Sequence, residues 1–399
     1  MKLDALPYHA NVVEHLRTSE GSLWAWFDSD LFSMRYTEKV KLELLKTTYR
    51  VTRDDQPGIY TQVDKALGKF GLDLPAAIYQ QQGGSEGANA ALIFFPDELA
   101  IMLMGNISDL LCEEEMLALL GHEISHHRLY SLDGGQYFTA ARFLEWCAQQ
   151  PRCEASYLET DRLYQLHTEI FADMGALHVT GDRDAVISCL IKVTTGLKKV
   201  TPSSYLEQTD EILKQYKQGS EGLTHPETFI RAKALDLLTS DPPKLDEVAA
   251  LVRGPIEAKR LDLVGQHVLS ALTRKLVDRI LAHHFMRGEY TANLAERFFP
   301  GYKWPEGAES NADGADLANE IAAMAKSCHD FLAYVLLDFA TVDPDGGETA
   351  LALTLHLAEQ VGLFKIYEPI ARKELKRRKD DLAKLKRTAA DLIERVKHA

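Results

Sequence analysis

The chain is expected to fold as an α+β protein, mainly α-helical with a small antiparallel-edged β-sheet, and three observations lead there. Apolar residues recur at helical three- and four-residue steps along most of the 399 positions. A group of short apolar runs between residues 76 and 104, bounded by turn residues, reads instead as strands. Beyond Ser240-Asp241-Pro242-Pro243-Lys244, a polar, proline-rich boundary, nearly every periodic stretch is helical again. The expected organisation is an N-terminal helical segment (1–48), a central domain (49–240) and an all-α C-terminal region (241–399).

Taken in order, Val12, Val13 and Leu16, then Val40, Leu42, Leu44 and Leu45, mark helices in the first segment, and Trp24, Trp26 and Phe27 between them read as core aromatics. Residues 52–57 are turn chemistry opening a helix with Tyr60, Val63, Leu67 and Phe70 on one side, closed by Gly71. Runs 76–79, 89–95 and 100–104 are the strands, with 83–87 a loop and Pro96-Asp97-Glu98 a tight antiparallel connection. A helix then starts at Glu113-Glu114-Glu115, whose charges suit the positive end of a helix dipole, with Met116, Leu119, Leu120 and Ile124 facing the core. A helix over 138–149 separates it from another long one, begun near Thr160-Asp161 and stopped by Gly181. Helix 185–197 and a polar stretch follow, and Pro226 suits the first residue of the next helix. The C-terminal helices are expected at 256–286, 316–338, 348–361 and 368–396, with 301–315 a loop.

Composition narrows the function. With 45 basic against 59 acidic side chains the net charge is −14, which argues against a nucleic-acid footprint and against attraction to an anionic membrane. The most apolar run, 91–107, is interrupted by Pro96-Asp97-Glu98, and Met1-Lys2-Leu3-Asp4 opens no apolar leader, so no membrane span is expected. Five cysteines, an odd number without a CxxC pair, read as reduced thiols in a cytoplasmic protein.

The chemistry gathers at Gly121-His122-Glu123-Ile124-Ser125-His126, an HExxH run. On a helix His122 and His126 share a face one turn apart, so both imidazoles can reach one zinc ion. Glu123 stands beside the ion, where a general base takes a proton from the water that such a site activates. A catalytic zinc needs a third protein ligand. Leu129 and Leu132 occupy the positions where an HExxHxxGxxH pattern would put Gly and His, so that ligand must come from elsewhere. Glu169, four residues before Asp173 on the second long helix, is the better candidate, with His167 and His178 as weaker substitutes. Asp173 could accept the Nδ1 proton of a ligand histidine. Ala172 and Ala176 keep the surface beside them small, which would let two helices approach closely. His127 reads as structural or solvent-facing, and either His225 or Arg231 could stabilise an oxyanion.

These features, in this order, resemble the gluzincin peptidases of metallopeptidase family 48, the HtpX, CAAX-prenyl-endopeptidase and Oma-type proteases. The likeness runs over roughly residues 50–237: Val51-Thr52-Arg53 before a helix, Asn89-Ala90 before the strand pair, Gly121 to His126, Glu169-Ile170-Phe171-Ala172-Asp173, and His225-Pro226 followed by Arg231. It implies a zincin-type domain with His122, His126 and Glu169 as zinc ligands, Glu123 as base, Asp173 orienting a ligand, and His225 and Arg231 assisting the transition state or the ligand Glu169. Asp338-Phe339-Ala340-Thr341-Val342-Asp343-Pro344-Asp345-Gly346-Gly347-Glu348 resembles the acidic turn of tellurite-resistance TerB-type helical domains, but it lacks the EF-hand spacing and reads as a capped turn.

The expected function is therefore that of a zinc-dependent endopeptidase acting on polypeptide substrate, its C-terminal helices recruiting a protein partner or regulating access. The alternatives are a non-proteolytic zinc-fold binding or chaperone-like protein, and a latent protease whose cleft is covered by residues 131–160 or by the C-terminal helices.

Overall fold

Pro7 opens helix α1 (Pro7–Ser19), where its fixed φ suits a first turn, and the helix buries Val12, Val13 and Leu16 as their spacing predicts. The computed structural model describes residues 3–30, 34–82, 87–216, 218–304 and 314–397; most of the expected 83–87 loop and the middle of the 301–315 loop lie outside them. Helices α2 (Gly21–Asp30) and α3 (Met34–Thr47) follow. Trp24 and Phe27 are buried, but Trp26 is 52% exposed, so one of the three aromatics expected in the core stands on the surface.

A strand that the periodicity does not announce, β1 (Thr48–Val51), leads to α4 (Pro57–Phe70), which ends on Gly71 in the left-handed region at φ 64°. Strands β2 (Ala76–Gln81), β3 (Asn89–Phe95) and β4 (Glu98–Met104) complete a four-stranded sheet in the order β1-β2-β4-β3. The β3–β4 pair is antiparallel as expected, the unannounced β1 pairs antiparallel with β2, and the central β2–β4 pair is parallel. The sheet is therefore mixed. Strand β3 pairs with β4 alone and lies at an edge. The main-chain N–H groups of Ala90 and Leu92 serve side chains, Asn89 Oδ1 at 2.9 Å and the Glu123 carboxylate respectively.

The helices that follow are α5 (Ile107–Leu110), α6 (Glu113–Ser131), α7 (Gln136–Ala148), α8 (Ala155–Thr180), α9 (Arg183–Thr195), α10 (Pro202–Gln215), α11 (Thr228–Leu238) and α12 (Leu245–Arg253). Helix α6 starts at the predicted glutamates, and Glu115 accepts the Cys112 N–H at 2.9 Å to close its first turn. Helix α8 begins five residues before the expected Thr160, because Thr160 is no cap: its hydroxyl turns back to the Ser156 carbonyl inside the helix. The two long helices cross at small residues. A Cβ on Gly121 would meet Ala176 Cα at 3.2 Å, and one on Gly175 would fall 1.6 Å from Ser125 Oγ. The closest approach is thus built by Gly121, Ser125, Gly175 and Ala176. Helix α11 starts two residues after Pro226, so that proline precedes the helix. Helix α12 packs on α11 and α8, and the first of two compact units runs through Gly254.

The second unit, Pro255–Ala399, comprises α13 (Leu263–Leu281), α14 (Glu289–Phe298), α15 (Gly314–Ala322), α16 (Lys326–Thr341), α17 (Gly347–Gln360), α18 (Phe364–Glu374) and α19 (Lys379–Lys397), around a core that includes Leu276, Leu336, Leu353 and Tyr367. Three of the expected helices are shorter or divided. Asp262 caps α13 by accepting the Gly265 N–H at 3.0 Å, the Ala325 N–H leaves the helical pattern for the Ile256 carbonyl at 3.1 Å, and Lys376 turns left-handed at φ 52° after α18. Among the described residues no helix is long and apolar enough to cross a membrane, and all five cysteines are free.

Candidate metal centre

Helix α6 carries His122 and His126 on one face, and α8 crosses it closely enough to bring Glu169 against both. The three candidate ligand side chains converge: His122 Nε2 to His126 Nε2 is 3.2 Å, His122 Nε2 to Glu169 Oε2 3.4 Å, and His126 Nε2 to the other carboxylate oxygen, Glu169 Oε1, 3.6 Å. Four-coordinate ligands at about 2.0–2.2 Å from an ion are separated by about 3.3–3.6 Å, so this spacing fits one ion between them. Glu169 Oε2 is buried without a well-formed hydrogen bond, facing Arg231 Nη1 at 3.3 Å and His122 Nε2 at 3.4 Å, and so has room to bind a cation. Among the described residues this is the group of His, Cys, Asp and Glu side chains that could hold a metal ion.

The surrounding charges select a cation. Asp173, 1% exposed, accepts from His122 Nδ1 at 3.1 Å, which fixes the tautomer and leaves Nε2 as the lone pair on the ligand face. Arg231 from α11 donates to Asp173 through Nε at 2.8 Å and Nη2 at 2.6 Å, and its Nη1 lies 3.3 Å from Glu169. The guanidinium is thereby spent on ligand and ligand partner. Three carboxylic groups, Glu123, Glu169 and Asp173, face one guanidinium, an acidic excess that suits a cation. The same field acts on protons. Burial pulls the His122 pKa down, but Asp173 and Glu169 outweigh it and lift the value to about 10. Burial holds His126 neutral, its pKa lowered to about 4. Glu169 is opposed by its own burial, yet His122 and Arg231 keep it well below the usual carboxylate range.

Glu123, 5% exposed, is one residue from the ligand face and receives the Leu92 N–H from the edge strand. Burial pushes its carboxyl up to about 7, against the downward pull of His122. A cation held by the neighbouring His122, His126 and Glu169 would pull it down and favour the ionised carboxylate near neutrality.

A cavity of about 260 Å³ opens on this cluster. One wall is polar, His122, His126, Glu169, His225 and Arg231; the other is apolar, Leu119, Val186, Leu190 and Val193, with the Cys189 thiol among them. Residues 89–92 of β3 line it as well, and none of the lining among the described residues comes from 131–160. His225, 59% exposed, reaches Glu169 Oε1 with Nε2 at 3.5 Å. The structure thus brings together all seven residues singled out from the sequence. The substitutes for Glu169 lie elsewhere: His167 Nδ1 donates to the Leu163 carbonyl at 2.8 Å and stacks on Tyr8, and His178 Nε2 lies 3.3 Å from the Lys69 carbonyl. His127 is buried and donates to the Phe95 carbonyl at 2.9 Å, tying α6 to the end of β3.

Two contributors were not read from the sequence. Tyr130 lines the cavity one turn beyond His126, and its i+4 spacing could have flagged it. The apolar wall from α9 had only an ordinary core pattern to announce it. No protein-family model matches the chain, and neither does any curated protein or any solved structure.

Proposed function

We propose that the first unit is a zinc-dependent endopeptidase related in mechanism to the gluzincins of metallopeptidase family 48. The reading rests on one observation above the rest: His122, His126 and Glu169 converge with donor atoms 3.2 to 3.6 Å apart, and the buried Glu123 carboxylate stands beside the two histidines on their helix. The donor set of two imidazoles and one carboxylate suits zinc and leaves one position open. Bound there, zinc supplies Lewis acidity, polarising a carbonyl and making water acidic enough to react near neutral pH.

The side chains divide the remaining work. Glu123 takes the proton from the attacking water and returns it to the departing amine. Asp173 keeps His122 in the tautomer that presents Nε2, and Arg231 holds Asp173 and Glu169 in place. His225, exposed at the cavity with Nε2 turned to Glu169, is the donor that would shift to meet a developing oxyanion. A peptide laid along the β3 edge would pass Glu123 extended, held by the main-chain groups other than the Ala90 and Leu92 N–H, which serve Asn89 and Glu123.

The test is a Glu123→Gln variant beside the wild type, both loaded with zinc and offered a peptide library. Wild type should bind one zinc and cleave, while the variant keeps its zinc and loses cleavage by about 10²–10⁴-fold. Zinc well below one equivalent, together with a His122→Ala variant that behaves as wild type, would sink the proposal.

A further inference from the structure

His225 does not sit on a helix; it hangs on the loop between α10 and α11, and the fastening of that loop has no counterpart in the proposed chemistry. Arg162 of α8 is 8% exposed, and its Nη1 donates to two loop carbonyls, Ser220 O at 2.9 Å and Gly222 O at 3.0 Å. The other side of the guanidinium is held by Glu159, Nε at 2.9 Å and Nη2 at 2.6 Å. One planar fork therefore reads two carbonyls and one carboxylate at once, a geometry that a lysine ammonium cannot reproduce.

The loop is wound to meet that fork. Gly222 has no room for a side chain, since a Cβ would fall 1.9 Å from the His225 carbonyl oxygen, and a Cβ on Gly219 would fall 2.3 Å from the Arg253 carbonyl carbon. Glu227 closes the other end, accepting from Ser220 Oγ at 2.7 Å and from the Glu221 N–H at 2.9 Å. The Ser220 N–H in turn is held by the Val252 carbonyl at 2.9 Å. At the outer turn of this construction Thr224 Oγ lies 2.9 Å from His225 Nδ1, and Nε2 faces Glu169. An exposed imidazole on a loop would otherwise sample many orientations, and holding it costs conformational entropy that the loop has already given up in folding.

We propose that Arg162 is the positioning residue for His225, fastening the 219–227 loop so that the imidazole stays over the Glu169 side of the cavity. The assignment rests on the peptidase reading for its kinetic consequence but not for its structural one.

Four zinc-loaded full-length variants test it: Arg162→Ala, Arg162→Lys, His225→Ala and the Arg162→Ala/His225→Ala double. On a peptide that wild type cleaves, His225→Ala should lower kcat by about a hundredfold, the scale for one lost oxyanion donor. Arg162→Ala should come close to it, the double should be no worse than His225→Ala, and Arg162→Lys should recover only part. Amide hydrogen exchange supplies the readout that needs no activity. In Arg162→Ala, and to a lesser degree in Arg162→Lys, exchange should speed up over 219–225 while α6 keeps its protection and zinc stays at one per chain. Losses that multiply in the double variant, or unchanged loop exchange, would overturn the assignment. If wild type cleaves nothing, the peptidase reading fails by itself, and the exchange result still decides whether Arg162 holds the loop.

Discussion

Asp173 grips Arg231 through both carboxylate oxygens, at 2.8 and 2.6 Å, and turns one of them to Nδ1 of His122 at 3.1 Å. The arrangement couples stability to ligation, because the oxygen that sets the His122 tautomer also compensates a buried guanidinium. Replacing Asp173 by Asn should therefore do two things. Zinc affinity, measured by competition with a chelator, should fall about 10–100-fold, the usual effect of losing a ligand's outer partner. Stability to urea should fall by about 3 kcal/mol or more, since Arg231 is left buried with Glu169 as its remaining carboxylate. Weakened zinc binding without loss of stability would mean that the Arg231–Asp173 pair is not a structural brace.

Gly175 sets how closely the two ligand-bearing helices approach. An alanine there places its methyl 1.6 Å from Ser125 Oγ and 2.6 Å from Ser125 Cβ, a clash no rotamer of Ser125 relieves. Gly175→Ala should cost about 1–3 kcal/mol as α6 and α8 are forced apart, and it should weaken zinc binding because His126 and Glu169 separate with them. Ser125→Gly in the same chain should recover most of both losses. Additive losses in that double variant, by thermal melting and zinc titration, would place the strain elsewhere.

How much of this was legible beforehand depended on whether a signal was local. His122, His126 and Asp173 announce themselves because ligand chemistry at four-residue spacing needs only a helix, and Gly71 and Gly181 mark helix ends by the backbone conformation they allow. What failed was set by partners distant in sequence or by residues out of their usual place. Thr160 reads as a cap, yet inside α8 it hydrogen-bonds backward. Lys376 takes the left-handed turn ordinarily given to glycine, and the Arg377 N–H reaches back to the Arg372 carbonyl at 3.2 Å, so nothing in the composition marks that end of α18. Helix α10 fully buries only Thr209, while Tyr205 and Leu206 pack on the core half-buried, so its short amphipathic stripe lay within a segment that otherwise read as polar. Arg162 looked like any helix-surface arginine until its carbonyl partners 58 and 60 positions away were in view.

Lys192 and Glu115 form a buried pair at 2.7 Å between α9 and the first turn of α6, and Glu115 also accepts the Cys112 N–H. Lys192→Met strands a carboxylate in the core and should cost about 3–5 kcal/mol, whereas Glu115→Gln with Lys192→Met should recover most of it. If the protein is the proposed peptidase, the single variant should also alter which peptides are cleaved, because α9 supplies the apolar cavity wall. A double variant as unstable as the single would show that the pair contributes more than mutual neutralisation, a question that unfolding titrations in urea decide.

His9 gives the fold a dependence on acid. It is fully buried on α1, with Nε2 3.2 Å from Thr168 Oγ, beside the ligand Glu169 in sequence. Burial first, then neighbouring His167, lowers its pKa from 6.5 to about 3, against a smaller upward pull from the Tyr164 carbonyl. The folded protein thus keeps His9 neutral at pH values where the unfolded chain has protonated it. Between pH 6.5 and about 3 the unfolded state binds the extra proton, so stability rises with pH across that window and falls as acid is added. The contribution is complete above pH 6.5 and amounts to a loss on the order of 5 kcal/mol at the acid end. His9→Gln removes the titration while keeping a polar contact for Thr168. Urea midpoints of wild type and variant from pH 7 to 4 should converge as pH falls, because only the wild type has this proton to take up. Curves that stay parallel would mean that His9 is already solvated or charged in the folded chain, and the acid sensitivity would have to come from the carboxylates.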